Sequence, residues 1–250
     1  MILEAAAAGP FLKNGYVLAC ERTREAVYID PGDEAEELLA FIAAEQLIVT
    51  HLLLTHAHVD HVSGVARAKR ETGAPIYLQR EDLFLYDDAV QHGMLFGIRI
   101  EEPPPVDRFY DGSVITFGDY QVTVHQTPGH CPGGVCLAVS PRTPAPSHPS
   151  TPAPSHPGTL APPHRGTPAP PILFVGDTLF AGSIGRTDLP GGDYETLMQS
   201  ITQVLFAFGD DAPVYSGHGP QTTIGRERET NPFILDYLSR KQGNTETRKA

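Results

Sequence analysis

The residues most able to do chemistry lie in one short run, Thr55-His56-Ala57-His58-Val59-Asp60-His61, which puts three histidines and an aspartate within six positions. Imidazole nitrogens and a carboxylate at this density form a ligand set for a borderline metal ion. In an extended segment His56 and His58 project to one side, whereas Asp60 and His61 fall at the turn into the next helix and can point elsewhere. One loop can therefore feed two adjacent metals. Several imidazoles packed together without a shared cation would be poorly satisfied, which weighs against a purely structural role. Three further candidates each follow a glycine just after a predicted strand: His130 in Thr-Pro-Gly-His-Cys-Pro-Gly-Gly, Asp177 in Phe-Val-Gly-Asp-Thr-Leu-Phe and His218 in Tyr-Ser-Gly-His-Gly-Pro. The set sorts into two sites: His56, His58 and His130 hold the first metal, Asp60, His61 and His218 the second, and Asp177 bridges them.

Positioning these side chains requires a sheet-based scaffold. Tyr16 to Cys20 and Ala26 to Asp30 read as a hairpin, followed by a helix with Asp33 and Glu36 as a cap pair and Leu38, Phe41 and Ile42 at helical spacing. Leu47 to Leu54 reads as a strand buried on both faces and delivers the histidine run. His61 to Thr72 reads as the next helix, stopped by Gly73 and Pro75. Ile76 to Leu78 is a strand, Glu81 to Phe96 a poorly patterned helix, and Glu101 to Pro105 a turn. Short β-branched or aromatic strands then recur at Val114 to Phe117, Gln121 to Gln126, Val135 to Val139 and Ile172 to Val175. Asp193 caps a helix with Leu197, Ile201, Leu205 and Phe208 on its buried face. Val214 to Ser216 is a last strand, Thr223 to Leu238 holds one or two helices around Asn231-Pro232, and residues 242–250 read as a disordered tail. Strands around a core with helices outside imply a layered α/β domain spanning 1–250.

That single domain is interrupted at 141–171, where half of the chain's 24 prolines fall. Thr-Pro-Ala-Pro-Ser-His-Pro occurs at Thr143 to Pro149 and again at Thr151 to Pro157, with degenerate copies from Thr159 and Thr167, a period of eight residues. Such a tract cannot pack a core and reads as a disordered, polyproline II insertion in a hairpin loop, its His148, His156 and His164 as spacer residues. A protein partner docking on this proline-rich loop is a separate expectation. Lys+Arg number 18 against Asp+Glu 30, a net charge of −12, which argues against nucleic-acid binding. The tract holds Arg142 and Arg165 and no acid, so the rest of the chain is more acidic than the whole. No apolar run reaches the ~18 residues of a membrane span. The N-terminal segment does not resemble a signal peptide, so a cytoplasmic protein is expected and an exported lactamase is not. Cys20, Cys131 and Cys136 are expected as free thiols, Cys131 as a packed neighbour of His130 and not as a ligand.

In this order, the His-x-His-x-Asp-His string, the later Gly-His, Gly-Asp-Thr-Leu-Phe and Gly-His resemble the metallo-β-lactamase fold hydrolases, from about Asn14 to Leu238 outside the insertion. Ala181 to Asp193 and Thr222 through Phe233 are similar to the compact glyoxalase II-like branch, also described as hydroxyacylglutathione hydrolase-like. The resemblance implies a four-layer αβ/βα sandwich and hydrolysis of a small-molecule thioester, hydroxyacyl-glutathione or a related one. Two divalent metals, zinc first with iron or manganese as alternatives, would generate a bridging hydroxide that attacks the thioester carbonyl. Asp60 would bind the second metal and either orient that hydroxide as well or serve as a ligand alone. In the family a basic residue near Arg186 contacts glutathione; pairing of Arg186 with Asp188 or Asp193 is the alternative. Asp188 and Gly219-Pro220-Gln221 stand where larger members place tyrosines, which leaves the thiol part of the substrate open. The runner-up is an iron-dependent persulfide dioxygenase, which shares the Gly-Arg-Thr-Asp element and uses the equivalents of His56, His130 and Asp177 alone.

Overall fold

The structure, a computed structural model, describes residues 1–142 and 170–247, so the repeats of the proline-rich insertion lie outside the described residues. The first half runs β1 (Ile2–Ala8), β2 (Lys13–Ala19), β3 (Glu25–Ile29), α1 (Ala35–Ala44), β4 (Ile48–Leu53), α2 (Val59–Val62), α3 (Val65–Thr72), β5 (Ile76–Leu78), α4 (Leu83–Asp87), α5 (Ala89–Leu95) and β6 (Arg108–Phe109). Its six strands form one sheet in sequence order, antiparallel from β1 to β3 and parallel from β3 to β6. The second half runs β7 (Ile115–Phe117), β8 (Tyr120–Gln126), β9 (Val135–Pro141), β10 (Ile172–Phe174), the small hairpin β11 (Leu179–Phe180) and β12 (Ser183–Ile184), α6 (Tyr194–Gln199), β13 (Pro213–Tyr215), β14 (Thr222–Thr223), α7 (Ile224–Thr230) and α8 (Pro232–Thr247). Here the sheet order is β14-β13-β10-β9-β8-β7.

Strand alternation builds the layers. Val17, Ala19 and Tyr28 face the helices of the first half, packing on Leu38, Ile42, Val65 and Ala68. Their neighbours Tyr16, Leu18, Val27 and Ile29 turn the other way and meet Phe117, Val122, Leu137, Val139 and Phe174 of the second sheet. On that sheet's outer face Ala138, Leu173 and Val214 pack on Leu197, Ile201, Leu205, Ile224 and Ile234. Period-two side-chain direction thus gives helix, sheet, sheet, helix, the four-layer αβ/βα sandwich.

Several local expectations are corrected. β1 is an added edge strand, paired with β2 from Ile2↔Ala19 to Ala8↔Lys13. Its alanine run carries no β-branched signature, and the ladder with β2 is what makes it a strand. The Asp33–Glu36 cap pair does not form: the cap residue of α1 is Glu34, without a side-chain cap, and Asp33 accepts a hydrogen bond from Ser63 Oγ instead. The helix expected from His61 to Thr72 is two helices broken at Gly64, where a Cβ would strike the backbone of Gly32. The helix expected over Glu81 to Phe96 is likewise split into α4 and α5. Asp193 does cap α6, accepting from Thr196 N at 2.7 Å. The backbone of α8 continues to Thr247, past Gln242 where a tail without structure was expected; 248–250 lie outside the described residues. Among the described residues no helix is long and apolar enough to cross a membrane.

Candidate metal centre

All seven expected ligands come together at one end of the two sheets. His56 follows β4 by way of Leu54 and Thr55, His58 is the extended residue before α2, and Asp60 and His61 lie within that one-turn helix. His130 comes from the loop after β8, Asp177 from the turn after β10, and His218 from the loop after β13. Glycine is required at two of these turns. Gly176 has φ +50° and lies against Thr55, and a Cβ on Gly217 would collide with Asp177 and His61.

Potential ligand atoms group as His56, His58, His130; His56, His61, Asp177; and Asp60, His61, His218, each group within 4.8 Å. Asp177 reaches both sides: Oδ2 is 3.6 Å from His130 Nε2 and 3.4 Å from His218 Nε2, and Oδ1 is 3.3 Å from His61 Nε2. Asp60 Oδ2 is 3.2 Å from His218 Nε2. His56 Nε2, His61 Nε2 and Asp177 Oδ1 are buried and find no hydrogen-bond partner among the described residues. Buried polar atoms left this way are costly unless a cation accepts them, so these residues fit a metal.

The opposite edges of the rings are held in place. Asp30 accepts from Thr55 N at 2.7 Å, from Thr55 Oγ1 at 2.6 Å and from His61 Nδ1 at 2.9 Å. Having donated to Asp30, Thr55 Oγ1 is left to accept from His56 Nδ1 at 3.1 Å. His130 Nδ1 and His218 Nδ1 donate to the carbonyls of Arg186 and Phe11 at 2.8 and 3.0 Å. Four imidazoles therefore donate through Nδ1 and aim Nε2 inward; such outer partners fix the orientation of each ring and, once a cation takes Nε2, its tautomer. His58 uses Nδ1, which lies 2.8 Å from His130 Nε2.

Beneath this layer Asp30 adopts φ +50°, and Lys13 Nζ donates to its carbonyl. Lys13 and Glu34 form a buried ion pair at 2.9 Å, and Glu34 also accepts from Tyr28 Oη and Gly32 N. A second buried carboxylate, Asp82, accepts from Ala57 N at 3.1 Å, Gly133 N at 2.6 Å and Cys131 Sγ at 3.1 Å. It joins the His56–His58 loop to the His130 loop. Cys131 is fully buried as this donor, and burial with the adjacent Asp82 pushes its thiol well up, in keeping with a packed thiol. Asp30, Asp82, Lys13 and Glu34 were not singled out by the sequence. Asp30 left one signal, a carboxylate closing an apolar strand; Asp82 left none.

The two sides differ electrostatically. Burial, reinforced by the neighbouring His130, pushes His58 down to about 3. Burial opposes charge on His61 as well, but Asp177, Asp60 and Asp30 outweigh it and push it up to about 10. His218, also opposed by burial, is raised to about 9 by its contacts with Asp177 and Asp60. At pH 7 a cation entering the His56–His58–His130 side displaces no proton from His58, whereas one entering the Asp60–His61–His218 side competes with protons on both histidines. Affinity of the second side should therefore rise with pH until about 10, with proton release shrinking as pH passes the values of His218 and then His61. An indicator titration from pH 6.5 to 10 reads this directly; equal release for both equivalents of metal would contradict it.

The ligands floor a cavity of about 280 Å³ whose wall includes Arg186 and His92. Arg186 is an exposed side chain whose Nε and Nη2 bind both oxygens of Asp188 at 2.7 Å. His51 and His125 lie elsewhere, beside Tyr77 and Phe208.

Fold and ligand arrangement together define a metal-dependent hydrolase scaffold. The pattern of the metallo-β-lactamase superfamily matches residues 8–141, and the chain belongs to this superfamily. Over 214 residues it is 34% identical to the hydroxyacylglutathione hydrolase GloC of Haemophilus influenzae, covering 84% of this chain and 88% of that protein. Among solved structures it is similar to the BLEG-1 B3 metallo-β-lactamase, with TM-score 0.74 and 35% identity over 93% of this chain and 99% of that one. It is also similar to TTHA1623 in a di-iron-bound form, with TM-score 0.72 and 36% identity over 92% and 99% of the two chains.

Proposed function

We propose that this chain is a binuclear metal-dependent hydrolase that cleaves thioesters. The observation that carries the reading is the second triad: Asp60, His61 and His218 are assembled beside the first, with Asp177 between the two. A single-iron dioxygenase has no use for that triad. The thioester part of the reading is supported by the similarity to GloC, and two metals by the di-iron form of TTHA1623.

Divalent cations held by these residues supply a water acidic enough to act as hydroxide near neutral pH, together with Lewis-acid polarisation of a carbonyl. The remaining work belongs to the protein. His56 and His58, both pushed well below the usual imidazole range by burial, offer lone pairs without adding charge, and His130 completes their triad. Asp60 faces the cavity, and although burial works to raise it, His61 and His218 hold its carboxyl below the usual range. It stays anionic and can orient an attacking water by accepting its hydrogen bond. The Nδ1 anchors on Asp30, Arg186 and Phe11 keep the rings from turning during the reaction. No serine or cysteine nucleophile is needed, and Cys131 is committed to Asp82.

A screen of acyl-thioesters of glutathione, coenzyme A and simple thiols, with a β-lactam and a persulfide alongside and metal measured on the same sample, tests this. Thioester turnover with two metals per chain is expected. One iron per chain with persulfide-dependent oxygen uptake and no thioesterase activity overturns the reading, as does β-lactam hydrolysis alone.

A further inference from the structure

The cavity above the ligands is polar at its floor and apolar along its wall. Phe11 reaches it from the β1–β2 turn, Leu85 from α4, Leu95 and Phe96 from the end of α5, and Leu189 and Pro190 from the loop after β12. Besides Val59 of the ligand-bearing α2, four separate segments thus contribute apolar side chains to one surface. Phe11 and Phe96 meet edge to face with centroids 5.9 Å apart. Leu85 belongs to the core, but three of these side chains are left uncovered by the fold: Phe11 is 43% exposed, Phe96 51% and Leu95 81%. Large apolar groups gathered at one exposed place mark a site for an apolar ligand. The charge balance agrees. The guanidinium at this wall is already neutralised by Asp188, so a polyanionic thiol carrier meets no unpaired arginine or lysine among the lining residues. The available volume also suffices, since an apolar cavity of roughly 150 Å³ already admits benzene.

We propose that this wall selects substrates carrying an apolar group, an alkyl chain of several carbons or an aryl ring, next to the carbonyl held at the metal cluster. The inference rests on the reading of the cluster as a thioester-cleaving centre and names the class of thioester it prefers. An apolar group on the acyl side and one on the thiol side offer the wall the same chemistry.

Two series of uncharged thioesters separate them: acetyl, butanoyl, hexanoyl and phenylacetyl esters of N-acetylcysteamine, and acetyl esters of ethane-, butane- and hexanethiol. In at least one series kcat/KM should rise about tenfold or more from shortest to longest, within the roughly fourfold per methylene of complete burial. Leu95→Glu, at a position exposed enough to leave folding undisturbed, should reduce that ratio at least about fivefold. Flat or falling kcat/KM in both series, with the short esters still cleaved, overturns the apolar preference and leaves the hydrolase reading standing. Calorimetric binding of acetate, butanoate, hexanoate and octanoate to the metal-loaded protein reads the wall without turnover. Affinity that climbs with chain length and falls in Leu95→Glu supports the proposal even where no thioester is cleaved; affinity independent of length overturns it.

Discussion

Asp177→Ala is expected to lose metal and activity together, with kcat/KM down by at least about 10³. Its two carboxylate oxygens lie within 3.6 Å of His61, His130 and His218, so it touches both triads. Without it, two cations would face each other with one fewer negative charge between them, and each side would lose a ligand. The loss should exceed the roughly 10²–10³ that follows removal of one preorganised electrostatic group. Metal per chain should fall from two to one or fewer. Asp177→Asn keeps shape and burial and separates charge from packing: it should fold normally and bind metal poorly. Full activity at normal metal content in Asp177→Ala would remove the bridging role.

The second large effect is expected at Asp82, a residue that touches no substrate and no ligand atom. Burial holds its carboxyl above the usual range, and three donors surround it. Asp82→Ala leaves the amides of Ala57 and Gly133 without a partner in a dry interior, at about 1–3 kcal/mol each. Summed, this is roughly 2–6 kcal/mol, or on the order of 10 °C in Tm for a chain of this size. Because Ala57 sits between His56 and His58, and Gly133 follows His130, the first triad should lose about 10- to 100-fold in metal affinity. A merely structural role would lower both metal affinities equally. A positioning role weakens the His56–His58–His130 side alone, which competition with a chromogenic chelator resolves.

These two aspartates mark the boundary of what the sequence discloses. The seven ligands were legible because the chemistry crowds them: four ligand-type residues in six positions, and three more behind glycines at strand ends, have few other uses. The sheets were legible through alternation, as in β9, where Val135, Leu137 and Val139 face one layer and Cys136 and Ala138 the other. What escaped depends on distant residues meeting. Asp82 acquires its role only when Ala57 and Gly133 arrive, and Asp30 only when Thr55 and His61 do. The Lys13–Glu34 pair is invisible for the same reason: each alone reads as an ordinary surface charge, yet both are buried. β1 was hidden by composition, since alanine announces neither period. The apolar wall escaped because its side chains come from four segments with no shared motif.

β9 starts beside the His130 loop and runs away from it to Pro141, and β10 returns from Ile172 toward the turn that carries Asp177, with Val139 paired to Ile172. The proline-rich tract therefore leaves and re-enters the fold about 20 Å of strand away from the metal ligands. At that distance an eight-residue unit can be gained or dropped whole without altering the register of β9 on β10 or the reach of His130 and Asp177. The length of the tract is thereby uncoupled from the geometry of the metal site.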